Sequence, residues 1–259
     1  MPGITTLRTW HWQLAQRLDY HVGEAIRFRW FLRVVVPLIT PHTRTVLDAG
    51  SGAGHHAFYL ARRFPHLHVT GLDNRAEVIA ATAAQARKLA LSNIQFVHGD
   101  LTRDLPSEIY DLIFSIDVLE HIPDDEKAIA HMTHALRPGG WLAVHSPLTP
   151  QKHWFRRFDL DRCVNPLHAR EGYRRGELEA KLTAAGLSVQ RTVYTHGPWG
   201  TLAWELWRWS RYRLPLYLPL LPFIRLLIWV ETHQTHTDGN RAFVVARKPT
   251  GARPQGIFT

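Results

Sequence analysis

The chain has 259 residues, 45% apolar and 20% charged, which excludes a disordered protein and fits one sizeable α/β domain with elaborations. Its formal charge of +9 at pH 7 is uneven: residues 45–147 carry a net −4, whereas 1–44 carry +4 and 148–259 carry +9. A single cysteine, Cys163, excludes an intramolecular disulfide framework.

The N-terminus, Met1-Pro2-Gly3-Ile4, lacks the basic-then-apolar pattern of a secretory signal, so a cytoplasmic location is expected. Residues 1–44 read as an N-terminal helical cap, with Trp10, Trp12, Phe28, Trp30 and Phe31 mixed among Arg17, Arg27, Arg29 and Arg33. From residue 45 short apolar runs alternate with amphipathic stretches. Thr45–Leu47 predicts a strand that ends at Asp48, followed by glycines and a helix from about His55 to Phe64. Leu67–Leu72 predicts a second strand, closed by Asp73, and an alanine-rich helix spans about 76–89. Ile94–His98 and Tyr110–Ile116 predict the third and fourth strands. A helix over about 125–136 is stopped by Pro138-Gly139-Gly140, and Trp141–His145 predicts the fifth strand. The doubly apolar runs imply a parallel sheet covered on both faces, a doubly wound α/β architecture.

Residues 148–176 read as an excursion after the fifth strand. A helix over 177–185 ends at Gly186, a sixth strand covers 187–193, and a seventh covers 242–246. Between these last two lies an unusual insert, residues 197–237. Its apolar run from Leu214 to Val230 is punctuated by Pro215, Pro219 and Pro222 and by Arg225, so the prolines are expected to break it. A continuous membrane-crossing helix is therefore not expected. Tryptophan, tyrosine and arginine together are the mixture that suits a membrane–water interface. Two readings stand: contact with a lipid surface or lipophilic substrate, or helices packed over the sheet edge as a lid or dimer contact.

The glycine-rich turn Gly50-x-Gly52-x-Gly54, placed between a strand and a helix, offers backbone N–H groups and close approach to a ligand. His55 stands where the dinucleotide fingerprint G-x-G-x-x-G has its last glycine, which argues against a nicotinamide enzyme. No histidine pair joins a third ligand at a recognisable metal spacing, and neither a nucleophile elbow nor a phosphate-loop lysine is present.

Taken together, Val46–Gly54, Asp73, His98-Gly99-Asp100-Leu101, Asp111–Ile122 and Leu136–Gly140 resemble, in order, the motifs of class I S-adenosylmethionine-dependent methyltransferases of the small-molecule, ubiquinone-biosynthesis-like type. That resemblance implies a seven-stranded Rossmann-like sheet over 45–259 and S-adenosylmethionine as methyl donor. It implies cofactor contacts from Asp48, Gly50, Ser51, Gly52, Gly54, Asp73, Asn74, Asp100, Leu101 and Ile116. Asp73 matches the acid that accepts from both ribose hydroxyls, and Asp100 matches the acid that accepts from the adenine amine. His121 and Asp117, after the fourth strand, are the candidate catalytic groups, with His153 and His168 as further base candidates. The N-terminal helices of such enzymes cap the cofactor, which makes Tyr20 and Arg33 candidates for contact.

The acceptor expected first is a small lipophilic or membrane-associated molecule, with peripheral contact to an anionic membrane and room for a homodimer. A soluble metabolite or glycan, with the insert as a lid, is the alternative. A third reading is a cofactor-binding subunit without turnover. Nucleic acid is not expected, because Ser115-Ile116-Asp117-Val118 replaces the Asp/Asn-Pro-Pro-aromatic tetrad.

Overall fold

The computed structural model describes residues 21–103, 105–155, 169–211 and 213–251. The candidates Tyr20, Cys163 and His168, and the tryptophans at 10 and 12, lie outside them. Helix α1 (Val22–Val34) is followed by β1 (Thr45–Ala49), α2 (His55–Arg63), β2 (His68–Asp73), α3 (Ala76–Lys88), β3 (Ile94–His98) and β4 (Tyr110–Ile116). Then come α4 (Asp125–Ala135), β5 (Leu136–Pro147), α5 (Glu177–Ala184), β6 (Ser188–Thr195), α6 (Pro198–Ser210), α7 (Leu214–His233) and β7 (Arg241–Arg247).

The seven strands form one sheet in the order β3-β2-β1-β4-β5-β7-β6, with β7 antiparallel to β5. This is the mostly parallel, doubly wound sheet expected. Strand order reverses between β1 and β4, and the carboxyl ends of strands at such a switch point are where doubly wound sheets bind their ligands. Val46, Leu47, Leu112, Ile113, Phe114, Leu142, Ala143 and Val144 are fully buried, as strands covered on both faces require.

The chain divides into two units. Of the described residues, one holds those in 21–30, 151–155 and 194–240; the other holds those in 31–150, 169–193 and 241–251, and contains nearly all of the sheet. In the sheet unit, Tyr173 is fully buried and donates its hydroxyl to Asp125 Oδ2 at 2.7 Å. Asp125 also pairs with Arg170 and, at 3.3 Å, with Lys181. Burial raises its pKa, but the Tyr173 hydroxyl and the two cations outweigh it and hold the carboxyl below its ordinary value. The same burial, with the negative Asp125 alongside, pushes the tyrosine hydroxyl up.

Two expectations from the sequence need correction. Strand β5 begins at Leu136, not Trp141, and runs through Pro138-Gly139-Gly140. The glycines stay in the sheet because Gly139 N–H donates to Lys248 O and Lys248 N–H to Gly140 O, while the register against β4 slips between Tyr110 and Leu112.

The second correction concerns the insert, whose prolines do not break it. α7 is one 20-residue helix with Pro219 and Pro222 inside and Pro215 in its first turn. At spacings of four and three the three rings fall on one side of the helix, and all three are exposed. The carbonyls that lose a donor therefore face outward, where they can tilt toward solvent. The opposite side, where Tyr217, Ile224, Leu227 and Ile228 are buried, belongs to a helix that packs closely with α6.

In the unit that contains α6 and α7, two fully buried carboxylates hold the segment together. Glu231 accepts from the Gly197 and Gly200 N–H groups, each at 2.9 Å, at the N-terminus of α6. Glu205 accepts from His153 Nδ1 at 3.1 Å and from the backbone N–H groups of Trp154 and Phe155. A cavity of about 320 Å³ in this unit is lined by Lys152, His153, Trp154, His196, Thr201 and Asn240, among others.

Candidate active site

The strand ends carry the predicted site residues to one edge of the sheet. Parallel register sets Asp48 beside Gly71 and Phe114, and Asp73 beside His98. Ile116 faces His145 across the β4–β5 pair. The loops after β1, β2, β3 and β4 therefore share the carboxyl edge.

The turn after β1 keeps Gly50, Gly52 and Gly54 at φ of 85°, 50° and 74°, in the left-handed region that favours glycine. At Gly50 a second constraint applies, since a Cβ would overlap the side chain of Val118 in the loop after β4. The turn is tied down because the Gly50 and Ser51 N–H groups both donate to Leu72 O at 2.8 Å.

Asp48 is 2% exposed. It accepts from the backbone N–H of Ala57 in the first turn of α2, and so caps that helix. Its Oδ2, however, is buried without a hydrogen-bond partner, as is Ser51 Oγ three residues on. Burial, with a small push from the negative Asp73, raises the Asp48 pKa to about 8 against the Ala57 bond. A buried acid with one oxygen unsatisfied, next to a glycine turn with no room for a side chain at Gly50, fits a ligand that brings a positive charge. S-adenosylmethionine, with its amino and sulfonium groups, meets that requirement.

Asp73 is 6% exposed and carries four donors: Gly52 N–H on Oδ2, Arg75 N–H and Nε on Oδ1, and Arg75 guanidinium Nη2 on Oδ2. Burial raises its pKa, yet the Arg75 side chain, Arg75 N–H and Gly52 N–H together hold it below the ordinary carboxylate value. A diol reaching this carboxylate must displace the Arg75 side chain, which is about half exposed. Asn74 is exposed, and its carbonyl meets His98 Nε2 at 3.0 Å. Asp100 is held ionised by the Thr102 backbone N–H and hydroxyl, both at 2.8 Å, which lower its pKa. Leu101 is buried, with its carbonyl 3.2 Å from His131 Nδ1.

Asp117 follows β4 with φ 54°, a strained value for a residue with a side chain. One carboxylate oxygen lies 2.7 Å from Nδ1 of the fully buried His145, and the other lies 2.5 Å from the Arg241 guanidinium. With both oxygens engaged, Asp117 is better suited to positioning than to taking a proton. His121 is half-buried in the short turn Leu119–His121. His153 sits in the other unit against Glu205, and Arg33 is exposed on α1.

Sequence reasoning did not find Arg75, His145 or Arg241. Arg75 looks like an ordinary surface residue opening a helix. Arg241 reaches Asp117 from 124 positions away only because β7 pairs antiparallel with β5, Pro147 opposite Arg241.

A family model described as a methyltransferase domain matches residues 42–180. A trans-aconitate 2-methyltransferase of Deinococcus radiodurans is 40% identical over 102 residues, which are 39% of this chain and 37% of that protein. Another of that name, from an Azoarcus species, is 28% identical over 211 residues, 81% of this chain and 69% of the relative. Among solved structures, a Haemonchus contortus phosphoethanolamine N-methyltransferase 2 in complex with S-adenosyl-L-methionine superposes with a TM-score of 0.63 at 17% identity. That superposition covers 92% of this chain and 59% of the other.

Proposed function

The chain belongs to the class I S-adenosylmethionine-dependent methyltransferases, and from that premise we propose that it methylates a small molecule with a substantial apolar portion. The observation that carries the cofactor assignment onto particular residues is the buried, unpartnered Oδ2 of Asp48 beside the glycine turn. In this reading Asp48 and Ser51 hold the methionyl end of the cofactor and the Gly50–Gly54 backbone lies along it. Asp73 holds the ribose hydroxyls and Asp100 with Leu101 the adenine.

When bound, the cofactor supplies a sulfonium methyl that is electrophilic without further activation. The chain's own task is alignment and exclusion of water. Val118, packed against Gly50, keeps the loop after β4 close to the glycine turn. Asp117 fixes the His145 ring and the Arg241 guanidinium at the end of β4 and the start of β7. Where the acceptor arrives protonated, His121 is the group assigned to take the proton.

The apolar acceptor is supported by the outward apolar side chains of the insert, among them Leu218, Phe223, Leu226 and Trp229. A second reading has its own support: relatives are named for trans-aconitate, and Arg241 is a guanidinium suited to a carboxylate. The test is S-adenosylhomocysteine release against two acceptor panels, one amphiphilic and one of small polycarboxylates. Turnover confined to the polycarboxylates would overturn the apolar assignment, and loss of it in Arg241→Ala would establish the second reading.

A further inference from the structure

Helix α7 is apolar on both sides. Its inner side, Tyr217, Ile224, Leu227, Ile228 and Glu231, is buried. Its outer side presents Leu218, Pro222, Leu226 and Trp229 at spacings of four, four and three, one stripe along the helix, with Phe223 beside it. Leu218 is 44% exposed, Phe223 47%, Leu226 53% and Trp229 52%. An outward apolar stripe of this length on an ordinary water-facing helix is unfavourable, and it marks a surface that meets something apolar.

Within the insert itself the outward charge has one sign. Between His196 and Thr237 the chain carries four arginines (208, 211, 213 and 225) and two carboxylates, Glu205 and Glu231. Both carboxylates are fully buried and engaged with N–H groups, so the charge this segment turns outward is positive. Trp209 is 40% exposed and the guanidinium of Arg213 lies over its ring, an amphipathic pair suited to headgroup depth.

We propose that the outer face of α7, with the arginines of the α6–α7 connection, docks on an anionic lipid bilayer, the helix lying in the interface plane. By length and composition α7 could cross a bilayer. Crossing would pull Glu231 from the α6 N-terminus, leaving a carboxylate and two N–H groups without partners in hydrocarbon. In the interface plane those bonds remain, and the apolar stripe enters the acyl boundary while the arginines meet lipid phosphates. A second copy of the chain fits less well, because a twofold contact through this face would set the same arginines against one another. The inference does not depend on which acceptor is methylated.

The experiment is flotation of the full chain with phosphatidylglycerol-rich vesicles and with pure phosphatidylcholine vesicles, at low and high salt. The expected result is binding to the anionic vesicles, weakened by salt and released by carbonate. A Leu226→Asp, Trp229→Asp double variant should lose about tenfold or more of that binding. Its far-UV spectrum and S-adenosylmethionine affinity should match the parent, which separates lost docking from lost folding. The milder Arg213→Gln, Arg225→Gln pair should weaken binding to anionic vesicles alone. Absence of binding, binding indifferent to both pairs, carbonate resistance, or a stable dimer dissolved by the aspartate pair would each overturn the proposal.

Discussion

Replacing Asp48 by asparagine separates what this carboxylate costs the fold from what it gives the ligand. Its pKa is about 8 in the folded chain against 3.8 as the ordinary reference. A raised pKa means that folding takes up a proton. The associated stability is fully present below pH 3.8 and is lost as pH rises through 8. A shift of about four units corresponds to an upper bound of roughly 5 kcal/mol at pH 8 and above. Asparagine keeps an oxygen for the Ala57 N–H and removes the charge, but its amide leaves a buried donor unsatisfied, at about 1–3 kcal/mol. The ligand-free Asp48→Asn protein is therefore expected to be more stable than the parent at pH 8.5, by about 2–4 kcal/mol. In a thermal melt this is a gain of several degrees, and it should shrink or reverse by pH 5.

Cofactor binding should run the other way. A cation beside Oδ2 favours the ionised acid, so binding below pH 8 releases close to one proton. The parent's affinity should then rise by up to tenfold per pH unit between about 6 and 8. Asp48→Asn should bind more weakly, with little pH slope. Titration calorimetry in two buffers of different ionisation enthalpy reads the released proton directly. A variant that is less stable than the parent at pH 8.5, and that binds S-adenosylmethionine with the parent's affinity and pH profile, would refute the reasoning.

Gly50→Ala combines a left-handed backbone with overlap on Val118, and is expected to destabilise the chain by about 2–4 kcal/mol and to abolish cofactor binding. Chemical denaturation checks it, and adding Val118→Ala should restore part of the stability but not all. Arg75→Ala frees Asp73 for the ribose and, because the cation is half exposed, should cost under about 1 kcal/mol of stability. Cofactor affinity should hold or improve in Arg75→Ala and fall about tenfold or more in Asp73→Asn; an equal loss in both would contradict the ribose assignment. Asp117→Asn should lower kcat by about tenfold or more while cofactor Kd changes little, since its carboxylate orients His145 and Arg241. A matching loss in Kd would place Asp117 in cofactor binding instead.

The alternation of apolar runs with Asp48 and Asp73 at strand ends made the parallel sheet and its carboxyl edge legible in the sequence, because both are local patterns. Buried strands favour apolar side chains at most positions, and left-handed turns favour glycine, so Gly50, Gly52 and Gly54 announce themselves. Only the tertiary structure decided what each carboxylate touches. Asp48 and Asp73 look alike in the chain, yet one is buried with an oxygen unpartnered and the other is clasped by Arg75. The Asp117–His145–Arg241 cluster depends on how β7 pairs with β5, a long-range register that no local pattern records. The insert departs from its sequence expectation for the same reason. Proline's local cost predicts a broken helix, but three rings on one outer face and close packing on α6 keep α7 continuous. Composition determined that this segment is apolar and basic, and tertiary structure alone decided that its apolar stripe and its positive charge both face outward.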